Sequence, residues 1–174
     1  HNKFYINRSF NMTSIFTYKF IWILILFSVL HAQEILLLND TDMVYNASPY
    51  VTIFKDTTGN LTFDEISKKS NTIKFLQIES KNTNIGFSSS AILLKLSVAA
   101  DSPLSIQWIL DVAMPSLHTV EMYFINNDNA VTFLKSGFLT GKDERATSFR
   151  NPSFVLPNLS QNPQTIYLRI LSQT

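Results

Sequence analysis

The chain of 174 residues is long enough for one folded domain with a sizeable core, since 45% of its residues are hydrophobic and 13% are aromatic. Three of its 14 basic residues lie in the first 33 positions, which contain no acidic residue, so the remaining 11 face 13 acidic residues and give a net charge of −2. This balance argues against the basic surface that nucleic-acid binding requires, and we expect no nucleic-acid partner. The absence of cysteine excludes disulfides, thiolate metal sites and cysteine nucleophiles.

The N-terminus has the layout of a leader for export. Residues 1–11 precede the first methionine and are interpreted as upstream sequence. From Met12, a basic flank at Lys19 is followed by an apolar run, Phe20–Leu30, and Ala32 offers a small residue for cleavage. A membrane-spanning helix needs about 20 apolar residues, more than this run supplies. The pattern predicts a secretory signal peptide over residues 12–33. A short buried helix or an uncleaved anchor is the alternative.

The beginning of the mature chain predicts two strands, over residues 35–38 and 50–54, with Pro49 at the start of the second. Residues 56–60 have the composition of a turn. An apolar segment follows at 73–78.

A capping box between these segments predicts the single helix of the chain. Thr62 is followed three residues later by Glu65, so that each side chain can satisfy a backbone donor of the other. We therefore expect a short helix over residues 63–69, with Phe63 and Ile66 packed together on the sheet.

The clearest pattern of the chain lies between residues 84 and 112, where two runs of alternating side chains flank the polar break 101–103. A period of two predicts strands, and a break containing Asp, Ser and Pro predicts that the two strands are antiparallel neighbours. One face is expected to carry the apolar residues Ile92, Leu94, Leu96 and Val98 of the first run, and Leu104, Ile106, Trp108, Leu110 and Val112 of the second.

The rest of the chain predicts four more strands, over residues 118–125, 130–135, 153–156 and 165–171, with a turn at 126–129. About eight strands separated by frequent turns, with one small helix, are typical of an all-β fold. We predict a jelly-roll β-sandwich over residues 34–174.

The candidate ligand site combines two tyrosines with two arginines. Tyr167 and Arg169 share the outward face of the last strand, and Tyr123 lies on the outward face of its own. Neighbouring strands would form a groove, to which Arg150 could contribute, that suits a carboxylate or a sugar acid. The alternative is cross-strand pairing on a solvated sheet face. Trp108 points with the apolar set and is expected in the core.

No catalytic set is apparent in the sequence. His118 is the only histidine beyond the leader, so a zinc site of several histidines is excluded, and no nucleophile elbow or phosphate-binding glycine loop occurs. The adjacent carboxylates at 64–65 and 143–144 are sequence neighbours and cannot face each other across a glycosidic bond. We expect no metal, no cofactor and no enzymatic activity.

Six segments in order resemble extracellular domain 2 of the seven-transmembrane receptors with diverse intracellular signalling modules. The resemblance covers residues 50–171. The family usually carries Tyr-Trp where this chain has Ile92-Leu93, whereas Arg150 and Asn151 match the polar pair before the penultimate strand. The segments are TFDEI, NIGFSSSAILLKLSV, QWILDV, HTVEMYF, RNPSFVLP and TIYLRIL.

The resemblance implies a bacterial periplasmic sensor domain with a jelly-roll fold similar to carbohydrate-binding modules. Its ligand would be a small molecule or a carbohydrate, and the membrane would be reached through a segment that follows the domain. A free-standing secreted carbohydrate-binding or adhesion protein is the alternative, and a hydrolase ranks third.

Overall fold

A computed structural model describes residues 34–68, 72–77 and 90–171. The upstream residues 1–11 and the predicted signal peptide, 12–33, lie outside this part. Neither helix within the described ranges has the length and hydropathy that a transmembrane span requires. The elements are β1 (Ile35–Leu38), a 3-10 turn (Ser48–Tyr50), β2 (Val51–Asp56), α1 (Phe63–Lys68), β3 (Leu76–Gln77), β4 (Ala91–Ala100), β5 (Ile109–Asp111), β6 (Thr119–Ile125), β7 (Val131–Ser136), β8 (Ser153–Val155) and β9 (Gln164–Leu171).

Strand β4 is the centre of a seven-stranded sheet. The strand order is β3-β2-β4-β9-β6-β7, and β1 pairs in parallel with β4. Along one edge of β4, residues 91–96 pair with β2 and residues 97–100 pair with β1, while β9 occupies the other edge. The all-β prediction is confirmed, and the jelly-roll connectivity stays a prediction.

Strands β5 and β8 form a separate two-stranded layer, which corrects one prediction. The run from Leu104 to Val112 was expected to pair with β4, but only Ile109–Asp111 is a strand, and it pairs with β8. Both edges of β4 are already taken by other strands, so no backbone groups remain there for a further neighbour. The main chain of this run bonds to the β8 segment instead, through Leu156 N to Trp108 O at 2.9 Å.

The main core lies between the two layers. Trp108 packs against it as predicted, whereas Ile106, expected on the same face, is exposed. The alternation predicted for β4, β6 and β9 is confirmed, because their inward side chains pack in the main core. Leu94 of β4 is partly buried, and the other large inward side chains are buried. These are Ile92, Leu96 and Val98 of β4, Val120, Met122 and Phe124 of β6, and Ile166, Leu168 and Ile170 of β9.

The local signals of the sequence act as predicted. In the capping box, Thr62 N donates to Glu65 Oε2 at 3.0 Å, and Glu65 N donates to Thr62 Oγ1 at 3.4 Å. Helix α1 begins at Phe63, the residue after Thr62. The two predicted turns contain Gly59 and Asn129 with positive φ angles of 68° and 60°. The cap and the turns therefore fix where the elements begin and end.

A glycine after β7 gives the first testable prediction. Gly137 has φ of 120°, and a Cβ at this position would lie 2.5 Å from the carbonyl oxygen of His118. Gly137→Ala is expected to lower the free energy of unfolding by about 2 kcal/mol, because both strain and overlap oppose the side chain. Gly141→Ala is the control, since its Cβ meets only the Glu144 side chain at 3.8 Å. Equal urea midpoints for the two variants would contradict the prediction.

Candidate functional site

The outer face of the large sheet brings together three of the four predicted site residues. Strands β6 and β9 are neighbours, so Tyr123 lies directly opposite Tyr167, and Glu121 lies opposite Arg169. Glu121 and Tyr123 are two positions apart on β6, and Tyr167 and Arg169 are two positions apart on β9. All four side chains therefore share one face of the sheet. The adjacency on which the predicted groove depended is therefore present.

An ion pair organises this face. Arg169 Nη1 lies 3.1 Å from Glu121 Oε2, and both side chains are 16% exposed. Arg169 Nη2 donates to the Gly59 carbonyl at 3.0 Å, and the Tyr123 hydroxyl donates to the same Glu121 oxygen at 3.1 Å. The buried Nε of Arg169 has no hydrogen-bond partner among the described residues. Sequence reasoning missed Glu121 because its role depends on the register between β6 and β9.

Helix α1 covers the aromatic part of the face. The Phe63 ring stacks on the Tyr123 ring, with centroids 4.1 Å apart and planes 3° from parallel. Phe63 also meets Tyr167 edge-on at 6.2 Å. Where the helix meets the sheet, Ile66 of α1 and Leu93 of β4 are fully buried. The predicted groove is thus filled by side chains of the chain itself, and its aromatic faces are in contact with α1.

The fourth predicted residue, Arg150, lies elsewhere. It is exposed in the loop that leads into β8, which belongs to the smaller layer. Phe154 of β8 packs on the inner face of the large sheet, opposite to the face of the candidate site. The following residues of this loop are held to β5, since Asn151 Nδ2 and Ser153 Oγ both donate to the Asp111 carboxylate, at 3.1 and 2.7 Å. The structure does not bring Arg150 to the cluster of Tyr123, Tyr167 and Arg169.

A family model described as 7TMR-DISM extracellular 2 matches residues 48–174. The chain belongs to this family. The match confirms the resemblance and the predicted location outside the cytoplasm, and it makes the chain an extracellular sensor-type domain of a membrane receptor. A comparison with curated proteins finds no match.

The two positions for which the resemblance implies Tyr-Trp, Ile92 and Leu93, lie on β4 of this 7TMR-DISM extracellular 2 domain. Leu93 belongs to the outer cluster beneath α1, whereas Ile92 belongs to the inner core. The two aliphatic side chains therefore point to opposite faces of the sheet. On the outer face, Tyr123 of β6 and Tyr167 of β9 supply aromatic rings directly opposite each other.

Burial shifts the pKa values of two groups on the outer face, Lys95 and Tyr123. Burial lowers the pKa of Lys95, whose Nζ lies 5.9 Å from the centre of the Phe75 ring. Across the described ranges, no group of three or more His, Cys, Asp or Glu side chains is arranged to hold a metal ion. The charged and aromatic groups of this face are thus paired with one another and with α1.

Titration of Tyr123 gives a second prediction. Burial, followed by the charge of Glu121 and the hydrogen bond to it, raises the pKa of Tyr123 from 10.0 to about 12. Because the folded state favours the neutral phenol, the resulting stability is present below pH 10 and is lost as the pH rises from 10 towards 12. Ultraviolet absorbance should show a late-titrating tyrosine that Tyr123→Phe removes and that Glu121→Gln moves to lower pH. A late component that persists in Tyr123→Phe would assign it to another residue.

Proposed function

We propose that residues 34–174 form the non-catalytic ligand-sensing domain of a bacterial membrane receptor, exported by the signal peptide at 12–33. Membership of an extracellular receptor family supports this function. In the receptor, a membrane segment follows β9, so that a change at the outer face is carried directly by the strand that holds Tyr167 and Arg169.

The proposed ligand is a small carboxylate or a carbohydrate that carries one, bound at Tyr123, Tyr167 and Arg169. The observation that carries this proposal is the Arg169–Glu121 pair, because a carboxylate of the chain already occupies the guanidinium in the position that a ligand carboxylate would take. Arg169 Nε is a buried donor without a described partner, and a bidentate carboxylate can satisfy it. A ligand therefore gains a hydrogen bond that Glu121 does not provide.

Binding at Arg169 requires a rearrangement of the turn at Gly59 or of helix α1. The turn at Gly59 and the ring of Phe63 both contact the proposed site residues, so an incoming ligand displaces at least one of them. Separation of Phe63 from Tyr123 is the conformational change that we expect the ligand to cause. A ligand produces it only through a higher affinity for the open arrangement.

A thermal-shift screen of small carboxylates, sugar acids and neutral sugars tests the site. A ligand at 100 times its dissociation constant adds about 2.7 kcal/mol of stability to the folded state. We expect Arg169→Ala to abolish the shift and Glu121→Gln to enlarge it, because the neutral side chain competes less for the guanidinium. Arg169→Lys, which keeps the charge, separates loss of binding from loss of folding.

Two exposed residues provide the comparison variants. Lys142→Ala, in the loop after β7, is the matched loss of a positive charge and should leave the shift unchanged. Arg150→Ala should also leave it unchanged, and a loss in that variant would show that the ligand spans both layers. The absence of a shift with every carboxylate and sugar, or a weaker shift in Glu121→Gln, would contradict the proposed site.

A further inference from the structure

Strand β7 is the last strand of the large sheet, and its outward backbone groups can be identified. Asn126 N donates to Ala130 O at 3.1 Å, which makes this residue pair a hydrogen-bonded one. In an antiparallel ladder the two kinds of pair alternate, so Thr132 bonds to Phe124 of β6. The N–H and C=O groups of Val131 and Phe133 therefore point away from β6.

A second contact supports this assignment and shows which part of the edge is open. The Lys135 carbonyl, two positions beyond Phe133, accepts a hydrogen bond from Ala146 N at 2.8 Å on the edge of β7 that faces away from β6. Within the described residues, no comparable contact reaches Val131 or Phe133. Their side chains are 46% and 52% exposed. Neither Val131 nor Phe133 is a lysine or proline, the residues that commonly protect such an edge, and Lys135 of the same strand lies where Ala146 already bonds to the edge.

We propose that a second copy of this chain pairs with β7 in an antiparallel manner, about a two-fold axis at Thr132. This register uses the outward groups of Val131 and Phe133 on both strands, whereas a shift of two residues leaves one of them unpaired. It places Val131 opposite Phe133 of the second copy, twice, and an aromatic residue beside a β-branched one is a favourable cross-strand pair. The edge is thus complementary to itself.

The surface is already ordered before it pairs. Phe133 packs against Tyr123 with ring centroids 5.1 Å apart, so its side chain is held in place from within the same domain. So short a pairing buries less than the roughly 1,000 Å² expected of a stable interface. The dimer is therefore weak in solution. Its population increases when two copies are tethered in one membrane, because their effective concentration is higher. The pairing does not depend on the proposed ligand site.

Disulfide trapping tests the pairing directly, because the chain contains no native cysteine. At the two-fold axis, position 132 of each copy forms a non-hydrogen-bonded pair, with Cα atoms about 4.5 Å apart, within the range for a disulfide. Thr132→Cys in the purified protein should form a covalent dimer at least about tenfold faster than Ala130→Cys under the same oxidant. The matched control is exposed on the same edge, but its two copies would lie roughly 14 Å apart along the strands.

The effect of an added charge at the open edge on the crosslinking rate is the second measurement. Val131→Lys, added to Thr132→Cys, should reduce the rate of crosslinking to that of Ala130→Cys, because a lysine on the edge opposes strand pairing. Circular dichroism of the reduced proteins confirms that each variant is folded. Equal rates for Thr132→Cys and Ala130→Cys, or a rate that Val131→Lys does not change, would overturn the proposal.

Discussion

Replacing Phe154 by alanine is expected to lower the free energy of unfolding by about 4 kcal/mol. Phe154 is fully buried and joins β8, which forms the smaller layer with β5 in the described part of the chain, to the inner face of the large sheet. Truncation removes the transfer free energy of the ring and leaves a cavity that short strands held at both ends cannot close. For a domain of this size the melting temperature should fall by about 12–16 °C.

Phe149→Ala is the matched control for this prediction. It removes the same side chain five residues earlier, from a position that is 53% exposed. Its effect should stay within about 0.5 kcal/mol, as expected for a surface substitution. Similar urea midpoints for the two alanine variants would mean that the smaller layer contributes little to the core.

Breaking the ion pair of the outer face should have the next largest effect. Glu121→Ala is expected to lower the free energy of unfolding by about 3 kcal/mol, because it leaves the guanidinium of Arg169 mostly buried without a carboxylate. Arg169→Ala should cost a similar amount, since it removes the partner of Glu121 and the contact with Gly59. The double variant should be about 2 kcal/mol more stable than the sum of the two losses predicts.

Salt dependence separates this pair from a surface ion pair. Because both side chains are largely buried, we expect the coupling measured in the double-mutant cycle to persist in high salt, where exposed pairs are screened. Additive losses, or a coupling that disappears in high salt, would show that the pair is solvated. In that case the guanidinium would be open to any anion, and the proposed competition with Glu121 would be wrong.

Much of the fold could be predicted because its signals are local. The alternation of Val120, Met122 and Phe124 identifies a strand and its buried face without reference to any other segment. The capping box at Thr62 and Glu65 fixes the start of α1 in the same way, since both of its hydrogen bonds lie within four residues. These features depend on backbone geometry that each short stretch specifies by itself.

The site could be predicted only in part. The alternation in β6 and β9 predicts that Tyr123, Tyr167 and Arg169 share one face, and the structure places them there on adjacent strands. Arg150, which the resemblance places in a polar pair before the penultimate strand, lies beside β8 in the other layer and not at this groove. Glu121 was not selected, because its contact with Arg169 follows from a register between residues 48 positions apart.

The sequence by itself determined which side chains of each strand point together, where the turns fall and where the helix begins, because all of these follow from the repeat of the backbone over a few residues. Only the tertiary structure decided that β5 leaves the large sheet for β8, and that Phe63 rather than solvent covers Tyr123. Those outcomes depend on which edges and faces other segments have already occupied, and no short stretch of sequence contains that information.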